Sequence, residues 1–533
     1  MRPLLTLLCL ALALPVLGVL GAWLAFDDAA WAVLAHQAHT VLPGYAGQSL
    51  LLALGVGVGV VAVGAGAAAA VTLFEFPGRR SFEWMLLLPL AMPAYVLAYA
   101  WTDALQFSSP LQRSLRQLLG VQGPLWPDVR SLWGAVILFV LALYPYVYLL
   151  TRAALGERAV QMMEAARMLG AGLRRRILEV ALPLARPAVA AGLLLALMET
   201  LADYGVGSYF GLTTFSTGIY RAWLSMNDRI AAAQLASVLL AVVAVLLLAE
   251  RAARRRMRFA GSRAGAMDAR PTVLRGGPRL LAWTLCALPV LLGFVLPVAW
   301  LLHMLWQEAT GSEFGLPWAR FGEWAWASFR LAGLSALAAT LLALALGFLL
   351  RRPGRRALRS AAGLLSLGYA VPGAVIAVGV LLPVGWLQAR FPDLAVSAAV
   401  TGTVFGLLYA YLARFSAVAM QSVEAGYARV PLSIDESARM LGSSAPRVFL
   451  ALHLPLLRRS ALASALLVFV DVMKELPATL VLRPFGSDTL AVVAYNLARD
   501  ERLAEAALPS LAIVAVGLIP VVLLSRAMRA GDR

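Results

Sequence analysis

The chain has 533 residues, of which 61% are hydrophobic and 14% charged, and its mean hydropathy is +0.80. A water-soluble fold cannot bury that much apolar surface behind so little charge, so a soluble globular domain is excluded and lipid is the solvent. The formal charge of +17 does not mark a nucleic-acid binder, because the arginines gather beside apolar runs, at 79–80, 174–176, 251–258, 351–356 and 458–459, as the positive-inside bias requires.

In chain order, apolar runs of Leu, Ala, Val and Gly without strand alternation predict helices near 4–24, 48–73, 84–102, 132–153, 187–204, 231–250, 280–303, 327–350, 362–384, 396–420, 460–481 and 507–527. The expected fold class is therefore an all-α polytopic membrane protein of about twelve spans. The opening stretch has signal-peptide features, namely Arg2, an apolar run and small residues at Gly21 and Ala22. It reads better as a retained first span, because a polytopic chain needs an oriented first helix. Arginines on the cytoplasmic side place both termini inside, and Trp126, Tyr220, Trp223, Trp324 and Trp326 then fall in an outer aromatic belt. Cys9 and Cys286 lie in apolar runs and offer neither a disulfide framework nor a metal site. His36 and His39 have the i, i+3 spacing of ligands but no acidic companions beyond Asp27 and Asp28, so no metal is assigned.

The Arg- and Gly-rich stretch 251–279 reads as a cytoplasmic linker between a first domain, 1–250, and a second, 280–533, each of six spans. The halves correspond in order. Pro77-Gly78-Arg79-Arg80 matches Pro353-Gly354-Arg355-Arg356, Met92-Pro93 matches Val371-Pro372, and EAARMLG at 164–170 returns as ESARMLG at 436–442. A duplication explains these pairs and implies a path between two similar halves.

Each heptad predicts a helix of about two turns. Ala165, Met168 and Leu169, or Ser437, Met440 and Leu441, form its apolar face, and Gly170 or Gly442 ends it. Ser433 and Glu436 have the spacing of a capping box. So short a helix needs something to dock against, and Leu182-Pro183 or Leu454-Pro455 follows each copy at an equal interval, shaping entry to the next span.

These residues resemble the EAA loop of inner-membrane permeases of binding-protein-dependent ABC importers of type I architecture. Glu164, Ala165, Ala166, Gly170 and Pro183 match in the loop 164–183, and Glu436, Ala438, Gly442 and Pro455 in the loop 436–455, where Ser437 replaces the first alanine. The resemblance implies that each loop is a coupling helix fitting a groove on a cytoplasmic ABC ATPase dimer. It also implies a periplasmic substrate-binding protein as a further partner and a bacterial inner-membrane location. The segments 198–223 and 471–496 are further similar to the fused permeases for ferric iron, whose relatives handle thiamine, phosphonates and other small solutes. That makes ferric iron the expected substrate.

Glu199 and Asp203 recur as Asp471 and Glu475, two acidic residues at i and i+4 on the fifth span of each half. Intramembrane carboxylates face a watery path or a partner. They either line the translocation path, with Tyr204 and Tyr209 as oxygen-bearing neighbours for a ferric ion, or form structural pairs, for example with Lys474, the one lysine in the sequence. A phosphate-binding Gly-Lys-Ser/Thr loop is missing, so the chain is not itself the motor. No cofactor is expected on it, and ATP and Mg belong to the partner ATPase, whose closure would draw the two loops together and tip the halves between inward and outward access. The competing class is an ion-coupled secondary transporter, in which the four carboxylates carry the coupling ion and the heptads are incidental.

Overall fold

In hydrocarbon a backbone has only itself to bond to, so the apolar runs close into helices. The computed structural model describes residues 2–21, 23, 27–156, 160–259, 272–312, 315–351 and 354–531. Among these, ten helices are long and apolar enough to cross a membrane, or eleven if the bent pair Arg79–Ala91 and Ala94–Leu119 counts as one span. A further 21-residue helix, Leu454–Lys474, coincides with the expected span at 460–481. It carries charges at both ends, Arg458 and Arg459 near its start and Asp471 and Lys474 near its close.

Prolines decide where the helices depart from the expected spans. The stretch expected as one span at 84–102 breaks at Pro93, with Arg79–Met85 and a 3-10 turn Leu88–Ala91 before it, and Ala94–Leu105 after it. The two parts of the pair bend by 91°. The second half breaks in the same manner at Pro372, between a 3-10 turn Gly368–Ala370 and the helix Gly373–Arg390. Proline pushes its predecessor out of the helical region, and here it serves as the first residue outside the new helix. Elsewhere the ring is absorbed by a π turn. Ile177–Ala181, Leu291–Val295 and Phe449–His453 each stand immediately before a Leu-Pro pair that opens the next helix. Widening the ladder accommodates both the missing N–H and the ring's clash with the preceding turn.

The chain forms two compact units, one of residues 1–40, 218–240 and 317–493, the other of 41–217, 241–316 and 494–533. Each unit therefore takes its helices from both sequence halves. In the first unit, the helix Arg2–Gly21 packs on Arg356–Leu365 and Gly373–Arg390. A Cβ on Gly379 would stand 2.0 Å from the carbonyl oxygen of Pro15, so the backbones of these helices touch. In the second unit, Leu42–Leu73 and Leu182–Ala202 pack on Leu132–Ala154. Gly64 and Gly192 permit it, since a Cβ would meet Tyr144 O at 2.7 Å and Val147 Cα at 2.6 Å respectively. Small residues at such crossings supply the packing that drives helix association in lipid.

Of the stretch expected as a linker, residues 251–259 continue the helix Arg229–Phe259, residues 260–271 lie outside the described residues, and Thr272–Val273 pair in parallel with Phe74–Glu75. Pro353 of the repeated Pro-Gly-Arg-Arg also lies outside the described residues, while Gly78 and Gly354 share a left-handed φ of 83° and 79°.

Candidate functional site

The two heptads fold into the same object. The first lies on the helix Val160–Met168, followed by Leu173–Arg176, the π turn Ile177–Ala181 and the helix Leu182–Ala202. The second lies on Leu432–Met440, followed by Ala445–Val448, Phe449–His453 and Leu454–Lys474, each element 272 residues after its counterpart.

Both helices end in one hydrogen-bonded cap. In the first, Ala171 N donates to Ala166 O (3.0 Å) and Gly170 N to Arg167 O (3.0 Å). In the second, Ser443 N donates to Ala438 O (3.0 Å) and Gly442 N to Arg439 O (2.9 Å). This is the Schellman arrangement, which requires a left-handed residue, and Gly170 and Gly442 adopt φ of 82° and 74°. The cap turns the chain so that the residues before the glycine stand clear of the protein. Met168 and Leu169 are 82% and 88% exposed, and Met440 and Leu441 are 89% and 86% exposed. Such apolar tips are a cost in water unless a partner covers them.

The other singled-out residues fall around these tips. Glu164 is half-buried and holds Arg167 at 3.4 Å, Ala165 is exposed and Ala166 half-buried. In the second loop Glu436 and Ser437 are exposed and Ala438 is buried. Pro183 and Pro455 occupy the first turn of the helix that leaves each loop. The capping box expected at Ser433 and Glu436 does not form. The helix starts directly after Pro431, which puts Ser433 inside the first turn.

The acidic residues of the fifth spans are placed individually. Asp203 accepts from Val206 N (2.8 Å) and so caps the short helix Gly205–Tyr209. Glu475 does the same for Pro477–Leu482, accepting from Ala478 N (2.9 Å) and Thr479 N (3.0 Å) while its Oε1 lies 3.0 Å from Arg414 Nη1. Its side chain is 1% exposed, so in this conformation Glu475 is a satisfied cap and ion-pair partner. Glu199 and Asp471 are half-buried on their helices. Tyr204 stands with its hydroxyl 3.4 Å from that of Tyr495, which in turn lies 2.7 Å from Ser208 Oγ. Sequence reasoning did not single out Tyr495. Tyr209 lies under the guanidinium of Arg130, 4.8 Å from its ring centre. Arg130 bonds Glu501 through both nitrogens (2.7 and 2.8 Å) and holds that carboxyl below the usual carboxylate range. Arg130, Glu501, Trp126, Asp128 and Gln112 line a cavity of about 470 Å³. Among the described residues no group of three or more His, Cys, Asp or Glu is placed to hold a metal ion.

Residues 62–259 match the family described as binding-protein-dependent transport system inner membrane component. The Fe(3+)-transport system permease protein FbpB 2 of Haemophilus influenzae is 25% identical over 456 residues, which is 85% of this chain and 84% of that protein. The ferric transport system permease protein FbpB of Actinobacillus pleuropneumoniae is 24% identical over 78% of this chain and 61% of its own length. The molybdenum transport system permease protein ModB of Escherichia coli is 28% identical over 32% of this chain and 76% of its own.

Proposed function

We propose that this chain, a binding-protein-dependent ABC permease, imports ferric iron across the bacterial inner membrane, driven by ATP that a separate ATPase dimer hydrolyses. The single observation that carries the coupling half of this reading is the pair of identically capped loops, each ending in an exposed Met-Leu tip. A carrier driven by an ion gradient has no use for two matched apolar tips. An ATPase subunit with an apolar groove covers one, and its movement on nucleotide binding is passed through the loop to the helix that follows Pro183 or Pro455. The loops and both termini then face the cytoplasm, and a periplasmic binding protein delivers the substrate from the other side.

Iron is favoured by the two relatives that span most of this chain, both of whose names specify ferric transport. A second reading, another small solute, rests on relatives named for molybdenum and for 2-aminoethylphosphonate, which each match 32% of the chain. The discriminating experiment is uptake of labelled iron(III) in proteoliposomes holding permease, ATPase and binding protein, with molybdate and 2-aminoethylphosphonate as competitors. Replacing Met168, Leu169, Met440 and Leu441 by serine is expected to leave the permease in the membrane and remove ATP-dependent uptake. Uptake that survives this change, or that persists without any ATPase, sinks the coupling reading in favour of the ion-coupled carrier.

A further inference from the structure

The two loops share a backbone but not an anchor. Under the first, Met163, Leu155 and Ala181 are buried with Leu73 and Ala185 in a wholly apolar cluster. The residues 272 positions later are Asp435, Tyr427 and His453. All three are buried, with Asp435 3% and His453 0% exposed. Three matched apolar positions have become an acid, a phenol and an imidazole, and they are organised around one arginine.

Arg351, the residue at the end of the helix Trp318–Leu350, directs Nε and Nη2 at Asp435 Oδ2 (2.9 and 2.7 Å). It also donates to the carbonyls of Val430 (3.0 Å) and Pro431 (3.1 Å), the two residues that lead into the second docking helix. The other carboxylate oxygen, Oδ1, lies 2.7 Å from His453 Nε2, and His453 Nδ1 lies 3.3 Å from the Tyr427 hydroxyl. Neutral His453 with its proton on Nε2 suits both neighbours, facing the carboxylate on one side and accepting from tyrosine on the other. Phe348 meets the imidazole edge-on at 5.1 Å. The helix Leu432–Met440 is thus bonded, through one buried carboxylate, to Arg351 at the end of the helix Trp318–Leu350, and the same carboxylate stands against His453 in the turn that follows.

Apolar contact is non-directional and tolerates sliding, whereas a buried charge pair with several fixed donors has one satisfactory geometry. We propose that Arg351, Asp435 and His453 are positioning residues that lock the second docking helix to the end of the helix Trp318–Leu350 and to the turn that follows it, making it the stiff lever of the pair, while the apolar seat under the first lets that helix shift. This rests on the reading of both loops as ATPase docking elements.

The test uses the full-length permease with a spin label at Leu441→Cys or at Leu169→Cys, both exposed positions. The label at 441 is expected to be the more restrained. Asp435→Asn is expected to free it while the label at 169 does not change, which also reports that the remaining protein is folded. A second variant gives the second loop the first loop's seat, with Tyr427→Leu, Asp435→Met, His453→Ala and Arg351→Leu together. It is expected to retain cross-linking of Leu441→Cys to the ATPase in the assembled complex, yet to leave the label loose and iron(III) transported per ATP lower by about tenfold or more. Full transport from this variant, or an unchanged label at 441 in Asp435→Asn, overturns the lever. Failure of both cysteines to cross-link to the ATPase in the otherwise unaltered permease removes the docking reading, and the lever with it.

Discussion

Gly170 and Gly442 separate two explanations for a small residue at a proposed docking tip. A partner that approaches closely excludes any side chain, and a left-handed cap excludes only those that resist positive φ. In this structure a Cβ at either position meets no atom within 4 Å, so a substitution is opposed within the permease by backbone conformation alone. An L-residue held left-handed costs about 1–2 kcal/mol, less for asparagine and more for a β-branched residue. A change of that size lowers the population of a capped loop by a factor of about 5–30. The series Gly→Asn, Gly→Ala, Gly→Val at each position is therefore expected to reduce ATP-driven uptake in that order, with asparagine nearest the unaltered protein. Membrane insertion and the thermal unfolding midpoint of the solubilised permease should stay put, because the cap is exposed and a side chain there displaces no packed atom. Uptake in proteoliposomes and proteolysis at the loop read the two quantities. A ranking by side-chain volume, with asparagine worse than alanine and the loop still resistant to protease, would refute the conformational argument and leave contact with the partner as the cause.

Three further outcomes are expected. Glu475→Gln leaves the Arg414 charge buried beside a weaker acceptor, and breaking such a pair costs about 3–5 kcal/mol. The unfolding midpoint should therefore fall, whereas altered iron uptake at an unchanged midpoint would return Glu475 to the path. Gly379→Ala forces the helices Arg2–Gly21 and Gly373–Arg390 apart at Pro15, at a cost of about 1–3 kcal/mol, visible as a lower midpoint or reduced expression. Burial holds His453 below its ordinary value of 6.5, opposed by the Asp435 carboxylate and assisted by the Arg351 charge. Because the pKa is lower in the folded state, the unfolded chain takes up more protons in the window below 6.5. The contribution is thus complete above 6.5 and lost as the pH falls through the folded value. Protease cleavage at the second loop should rise relative to the first between about pH 8 and about pH 5, and an equal rise at both loops would remove His453 as the cause.

Much of the architecture is legible in the sequence because its determinants are local. Hydropathy places the spans, and a glycine after Met-Leu is enough to foresee the left-handed caps that the hydrogen bonds at Ala171 and Ser443 confirm. Where tertiary context competes, the reading fails. A Ser-x-x-Glu spacing suggested a capping box, but Pro431 already caps the helix, so Ser433 falls two residues too deep. Pro93 and Pro372 were visible as a repeated pair, yet the 91° bend of the first break depends on what the two pieces pack against. The carboxylates of the fifth spans were visible as a repeat as well. Glu475 finds its partner in Arg414, 61 residues earlier, and no periodicity announces such a pair.

A duplicated sequence does carry one signal for these distant contacts, because each copy acts as the other's control. Leu155, Met163 and Ala181 turn into Tyr427, Asp435 and His453 while the helices, π turns and caps around them keep their spacing. One such change in a buried seat would leave an unsatisfied polar group, costing about 1–3 kcal/mol. Three at positions that share a seat are tolerable only if they satisfy one another, and the charge among them demands an opposite charge from outside the set. That requirement leads to Arg351, where the first copy's Pro-Gly-Arg-Arg register places Glu75 instead, bonded to Arg79 at 2.6 Å rather than to the loop. The differences between the copies thus mark the proposed anchor, and the features they share mark the proposed docking tip.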